Sequence, residues 1–350
     1  MIRNQRQRVE RQSVERAGLR RGPLGFRFEK SSESETSLRQ RARDWPHHAA
    51  FESLTAETLR QITEREGVDF ATALLFERLR KVPKHAKLVQ RLDSLRRRPV
   101  PASLVIDARV VIVPGALYLE RPEMGGDGRL VREVAGAFGC QTDLIRLASF
   151  GSVTNNARLI RAWLQQHSSE RLILVSLSKG ASDLKLALSS ADAPSQFGNI
   201  IAWVNVGGPL DGSRMANWIL ASRWRTWFFR LKFRVQRRDF DFISDLRTGG
   251  PLGFSQLLPA SMRVLSLIGF PLERHMTTSL SRFCHRTLAV HGPNDGTTSL
   301  CDLQTWPGEI YPAWGMDHYF RPENEARGLV RAVFQYLAEE LETCLAVQPN

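Results

Sequence analysis

The sequence predicts an α/β fold, a mostly parallel sheet flanked by helices, and three observations carry that prediction. Short apolar runs rich in branched side chains alternate with stretches whose apolar residues recur three and four apart, the pattern of a sheet wrapped by helices. One such pair, Arg171 to Leu188, passes from strand to helix through Ser-x-Ser-x-Gly, which places Ser178 at the apex of a tight turn between the small residues Ser176 and Gly180. An acid and a histidine, Asp295 and His318, then follow that serine in chain order, each on a loop after an apolar run. A lid insertion and an N-terminal helical extension complete the expected architecture.

Composition narrows the classes. Hydrophobic residues make up 42% and charged ones 24% of the 350, ordinary for a globular chain. The formal net charge is +13, and residues 1–100 hold 23 Lys and Arg against 13 Asp and Glu, so the basic character belongs mainly to the N-terminal region. Cys140, Cys284, Cys301 and Cys344 are scattered, with neither a C-x-x-C nor a metal-like pairing with histidine. That argues against a disulfide scaffold or a zinc site and for a reducing compartment. No apolar run reaches the length of a membrane span, and Arg, Gln and Glu stand where a signal peptide would carry its apolar core. The expectation is a soluble, cytoplasmic protein.

Residues 1 to about 45 carry few apolar anchors and read as a flexible basic tail. An N-terminal helical extension is expected over 46–99. Thr55, with Glu57 and Thr58 behind it, starts one helix that Gly67 stops. Asp69 caps a second carrying Phe70, Ala73, Leu74, Phe76 and Leu79, and a third runs from Ala86 to Leu95. The main domain spans 100–342, with 343–350 a C-terminal tail. Val110–Val113, Leu144–Leu147, the run ending at Leu177, Ile200–Val206, Thr287–His291 and Glu309–Tyr311 are its predicted strands. Helices are predicted over 129–138, 157–166, after the Ser178 turn, and 323–342.

Between about 210 and 280 lies a long insertion in which Trp218, Trp224, Trp227, Phe228, Phe229 and Phe233 mix with many arginines. Such a stretch can stack on nucleic-acid bases, lie at a membrane surface, or form a lid over an apolar substrate. The lid is preferred because the insertion's place in the fold predicts it independently of composition. Trp218, Trp224 and Trp227 are then its candidate substrate-binding residues.

A serine hydroxyl is a weak nucleophile until a base takes its proton, and the base needs an acid to hold its tautomer. Ser178, His318 and Asp295 are the candidates for nucleophile, base and acid. Asn-Asp-Gly at 294–296 has turn chemistry of its own, but the joint order on strand ends favours the constellation. Oxyanion donors would be the backbone N–H of Lys179 and that of Ala116 or, second, Leu117, in the loop after Val113. No metal or cofactor is required.

The segments VVIVPGALY, LVSLSKG, IIAWVNVGGPLDGS, HGPNDG and WGMDHYF together resemble the α/β-hydrolase superfamily, on its lipase- and esterase-like side, over roughly residues 100–342. Two departures stand out: Ser176 occupies the first glycine position of the elbow, and Pro114 replaces the histidine of the usual His-Gly oxyanion motif. The resemblance implies a Ser-His-Asp acyl hydrolase acting on a carboxylic ester, with a small-molecule or lipid-like acyl ester as partner. A thioesterase or acyltransferase would use the same groups, and a non-catalytic binding protein could keep the shell. Peripheral contact with an anionic surface is a further expectation, and specific nucleic-acid binding is not expected.

Overall fold

The computed structural model describes residues 20–21, 27–28, 33–101, 103–189, 196–249, 258 and 262–347. Among the described residues, a short antiparallel pair (Arg20–Arg21 with Arg27–Phe28) and four α-helices precede the sheet: α1 (Glu35–Asp44), α2 (Ala56–Glu66), α3 (Val68–Leu79) and α4 (Pro83–Arg96). Six strands follow, β1 (Arg109–Val113), β2 (Gln141–Leu144), β3 (Leu172–Leu177), β4 (Ile200–Val206), β5 (Arg263–Phe270) and β6 (Glu309–Trp314). They form one sheet in the order β2-β1-β3-β4-β5-β6, parallel throughout. Every residue of the central β3 is buried, as a strand covered on both faces requires.

The connections place helices on both faces. α5 (Arg129–Ala137) joins β1 to β2, α6 (Val153–Gln166) joins β2 to β3, and α7 (Gly180–Leu188) follows β3. α8 (Arg214–Leu220), α9 (Arg223–Val235) and α10 (Asp241–Asp245) lie between β4 and β5, α11 (Ser279–Leu288) between β5 and β6, and α12 (Glu323–Val347) is the last described element. Alternate residues of β1 divide the core. Val111 and Val113 pack with Leu74, Ile160 and Leu184 on one face, and Val110 and Ile112 pack with Leu92, Val134 and Val333 on the other. Full burial of each such side chain contributes about 1.5–3 kcal/mol.

Five expectations change here. The strand predicted over Leu144–Leu147 lies earlier, at Gln141–Leu144, and the last helix runs on to Val347, into the stretch expected to be a C-terminal tail. The tail predicted for residues 1 to about 45 lies largely outside the described residues, but its last part is helix α1. Ser34 caps this helix through its hydroxyl, and Leu38 and Ala42, four apart, are its buried positions. Its arginines pack rather than dangle: the Arg39 guanidinium lies 4.7 Å from the Phe76 ring centroid and its Nε donates to Glu77 (2.7 Å). Glu35 accepts the Trp314 indole N–H and bonds His275 Nε2, each at 2.8 Å.

Asp69 does not cap α3. That helix starts two residues earlier, at Val68 after Gly67, whose φ of +89° only glycine adopts readily, and Asp69 instead accepts the backbone N–H of Glu273 (3.0 Å).

The strand predicted over Thr287–His291 is the end of α11 followed by a 3-10 turn. Thr278 and Ser281 cap that helix reciprocally, and Ser281, Cys284, His285 and Leu288 give it a buried face at helical spacing. The strand that fills this place in the sheet is β5, inside the stretch read from sequence as insertion, so the insertion between sheet strands is residues 207–262.

Candidate active site

The chain leaves β3 and turns at Ser178 with φ +48°, a conformation that costs a non-glycine residue about 1–3 kcal/mol. Neighbouring backbone holds the turn. The Ser178 N–H donates to the Val206 carbonyl (3.1 Å), and the Ser178 carbonyl accepts the N–H of Ala181 (3.0 Å). Helix α7 can start this close to the sheet because residue 180 is glycine: a Cβ there would lie 2.5 Å from the carbonyl oxygens of both Val113 and Pro114. The departure at Ser176 also has a local cause. Its buried hydroxyl accepts the Trp203 indole N–H (2.8 Å), satisfying a donor that a glycine would leave bare.

His318 stands on the loop after β6. Its Nε2 lies 2.8 Å from Ser178 Oγ and its Nδ1 3.0 Å from Asp295 Oδ2. The His318 backbone N–H also donates to the Asp295 carbonyl (2.7 Å). The other carboxylate oxygen of Asp295, Oδ1, accepts the N–H groups of Thr297 (2.9 Å) and Thr298 (2.6 Å). Oδ2 is thereby left to accept from Nδ1, which fixes the tautomer and turns the Nε2 lone pair toward the serine hydroxyl. Burial pushes the imidazole toward its neutral form. The charge and hydrogen bond of Asp295, with the charge of Asp317, outweigh that and raise its pKa above the ordinary value of 6.5.

Asp317, the residue before His318, is fully buried. Its Oδ2 accepts from the Thr277 backbone (3.1 Å) and hydroxyl (2.5 Å), and its Oδ1 from the Tyr319 N–H (3.0 Å). It ties the His318 loop to the segment after β5.

Among the described residues, the backbone N–H groups of Ala116, Leu117 and Lys179 donate to no protein acceptor. Ala116 lines both cavities that meet at Ser178, while Leu117 and Lys179 line one each. Gly115 allows this approach: a Cβ there would fall 3.1 Å from the Leu177 carbonyl oxygen and 3.2 Å from Ser178 Cβ. The Lys179 side chain points away from solvent. Its Nζ lies 2.7 and 2.8 Å from the two oxygens of Asp183, which also accepts from Asn156 Nδ2 (2.8 Å).

One cavity, of about 270 Å³, runs past Leu117, Met124, Val131, Leu177, Leu280 and Tyr319. The other, of about 150 Å³, lies beneath α8 and α10 against Met215, Ala216, Ile219, Phe242, Ile243 and Leu246. None of the three tryptophans expected to bind substrate lines either cavity. Trp218 packs beside Phe283 (ring centroids 6.0 Å apart), and Trp224 and Trp227 point outward, 77% and 56% exposed. The inward positions of α9 go instead to Phe229 and Phe233. Among the described residues no group of three or more His, Cys, Asp or Glu is placed to hold a metal ion, and no helix is long and apolar enough to cross a membrane.

Sequence reasoning missed Thr297, Thr298, Asp317, Asn156 and Asp183. The Thr pair carried a readable signal, since Asp followed by donors two and three residues on is an Asx-turn. Asn156 and Asp183 carried none, because their meeting depends on how α6 packs on α7.

No protein-family model matches the sequence, and no curated protein matches it. Solved structures do. A metagenomic carboxyl esterase superposes with a TM-score of 0.54 at 24% identity, over 70% of this chain and 80% of that one. The mature form of a lipase from Bacillus licheniformis gives 0.49 at 21% identity, over 69% of this chain and 94% of that one. At these identities the similarity is one of fold.

Proposed function

We propose that this chain, which has the α/β-hydrolase fold, is a serine hydrolase that cleaves a carboxylic ester through an acyl-enzyme intermediate. The observation that carries the reading is the hydrogen-bonded line Ser178 Oγ, His318 Nε2, His318 Nδ1, Asp295 Oδ2, at 2.8 and 3.0 Å. The esterase and lipase named above are consistent with it.

In this reaction Ser178 Oγ attacks the ester carbonyl carbon while its proton passes to His318 Nε2. The C=O π pair moves onto oxygen, and the N–H groups of Lys179 and Ala116 stabilise the resulting oxyanion. Collapse breaks the C–O bond and His318 returns the proton to the leaving alkoxide. Water, deprotonated by the same imidazole, then releases the acid and restores Ser178. Asp295 stays ionised and stabilises the imidazolium in both halves. The two limbs of the ester occupy the two cavities that meet at Ser178, with the insertion over α8–α10 acting as the cover of the smaller one. Pro114, where a histidine was expected, leaves the donors intact because they belong to the residues after it.

A fluorophosphonate probe tests the reading directly. Labelling of the wild type that disappears in Ser178→Ala and His318→Ala is the expected result, followed by turnover of oxyesters in preference to acyl-thioesters of equal chain length. A folded wild-type protein that does not label would sink the proposal.

A further inference from the structure

Helix α9 is amphipathic the wrong way round for a core helix. Trp224, Trp227, Phe228, Leu231 and Val235 recur at spacings of three, one, three and four residues, so they share one face. Those five side chains are 77%, 56%, 57%, 45% and 76% exposed. The opposite face, Phe229 and Phe233, packs on Phe150, Phe240 and Phe242, so the helix is seated and its outer stripe is not a face awaiting closure. At 100° per residue, Arg223, Arg230 and Arg234 border the stripe on one side and Arg225 and Lys232 on the other. Between Arg223 and Arg238 the sequence holds seven Lys and Arg and no acid. Among the described residues none of those seven forms an ion pair, and Asp239 and Asp241 are the acids that follow them.

We propose that this outward face of α9 is a docking surface for an anionic lipid bilayer, lying in the headgroup plane with its aromatic and aliphatic stripe among the upper acyl chains. Charge complementarity and stripe chemistry select that occupant. Unpaired cations flanking a continuous apolar stripe are what a helix needs to lie in an anionic interface. Nucleic acid would also meet the cations, but it needs flat stacking platforms. Trp224 and Trp227 meet edge to face at 85° with centroids 5.8 Å apart, and Leu231 and Val235 offer bases nothing. A second copy of the chain would bring like charge against like charge.

The surface runs on toward the reaction centre. Arg225 lies 4.4 Å from the Trp218 ring centroid, and Trp218 touches Phe283, which is 51% exposed. Phe283 stands one turn from Leu280, which lines the larger cavity at Ser178. Docking by α9 therefore turns the cavity toward the bilayer. The docking itself does not depend on the triad.

Vesicle co-sedimentation of the full chain tests it, with phosphatidylcholine vesicles lacking or containing phosphatidylglycerol. The wild type and Ser178→Ala are expected to bind the anionic vesicles equally, with loss of binding as salt rises. The exposed apolar variant Phe228→Ser/Leu231→Ser/Val235→Ser and the charge variant Lys232→Gln/Arg234→Gln are each expected to lose about tenfold in partitioning while keeping fluorophosphonate labelling. The charge variant leaves all packing intact and so reads the surface even if the apolar variant misfolds. Binding that neither variant weakens, equal binding to neutral vesicles, or retention on single-stranded RNA without vesicle binding would overturn the proposal. Absence of labelling with vesicle binding intact would count against the hydrolase reading alone.

Discussion

Lys179 and Asp183 form an ion pair sealed beneath the turn that carries Ser178, with side chains only 4% and 1% exposed. Lys179 caps α7 and Asp183 lies one turn into it, and Asn156 of α6 supplies the carboxylate with a further donor. Breaking a buried pair leaves one charge without compensation, which costs about 3–5 kcal/mol. Denaturant midpoints should therefore drop sharply for Lys179→Met and for Asp183→Leu alone, and much less than the sum for the two combined. A strictly additive double mutant would show that the two do not interact. The backbone N–H of Lys179 survives these changes, so whatever folds should still label at Ser178.

The pH profile follows from His318. Attack needs its imidazole neutral, so kcat/KM should fall as pH drops through its pKa, and since that pKa is raised above 6.5 the acid limb should lie above this value. Asp295→Asn removes the charge that opposes burial. The limb should then move to lower pH while the rate falls by about 10⁴-fold. A limb that stays in place in Asp295→Asn would detach the carboxylate from the imidazole.

Gly180→Ala would drive a methyl group into the carbonyl oxygens of Val113 and Pro114, 2.5 Å away. Backbone cannot rotate aside as a side chain can. The variant is expected to lose about 2 kcal/mol or more of stability and most of its labelling rate, because α7 must move off the sheet and take the Ser178 turn with it. Thermal melts beside probe kinetics check both parts.

Ala216 reports on the smaller cavity. Ala216→Phe should fill much of its roughly 150 Å³, so kcat/KM across an ester series should fall with length on one limb of the ester only. Equal loss on the acyl and alcohol limbs would mean that the cavity does not accommodate one limb.

The sequence offers Ser178, Asp295 and His318 as candidates because small residues around a serine, turn residues around an acid and a histidine before the last helix are local signals, and the structure places the His318 side chain within hydrogen-bond distance of the other two. Yet the placement of Asp295 on a strand end rests on a strand at Thr287–His291 that is the end of a helix and a 3-10 turn. Short apolar runs do not distinguish the two, and the capping pair Thr278 and Ser281 carried the deciding information. Helix α1 reads as tail in the sequence because its apolar content is only Leu38 and Ala42. What holds it, Arg39 against Phe76 and Glu35 against Trp314, joins residues far apart in the chain. The tryptophans of α9 were expected to face the substrate, but composition cannot say which side of a helix faces inward. Phe229 and Phe233 occupy that side.

The grip of Glu35 on Trp314 spans 279 residues, and this has a bearing on how the protein is made. At about 5–20 residues per second, roughly 15–55 s separate the synthesis of α1 from that of its partner. Through that interval α1 has part of its native seat missing, and the strand that will position His318 is still to come. Completion of the sheet edge and of the seat of α1 therefore fall at the same late moment of synthesis, while its contacts with Phe76 and Glu77 are available long before.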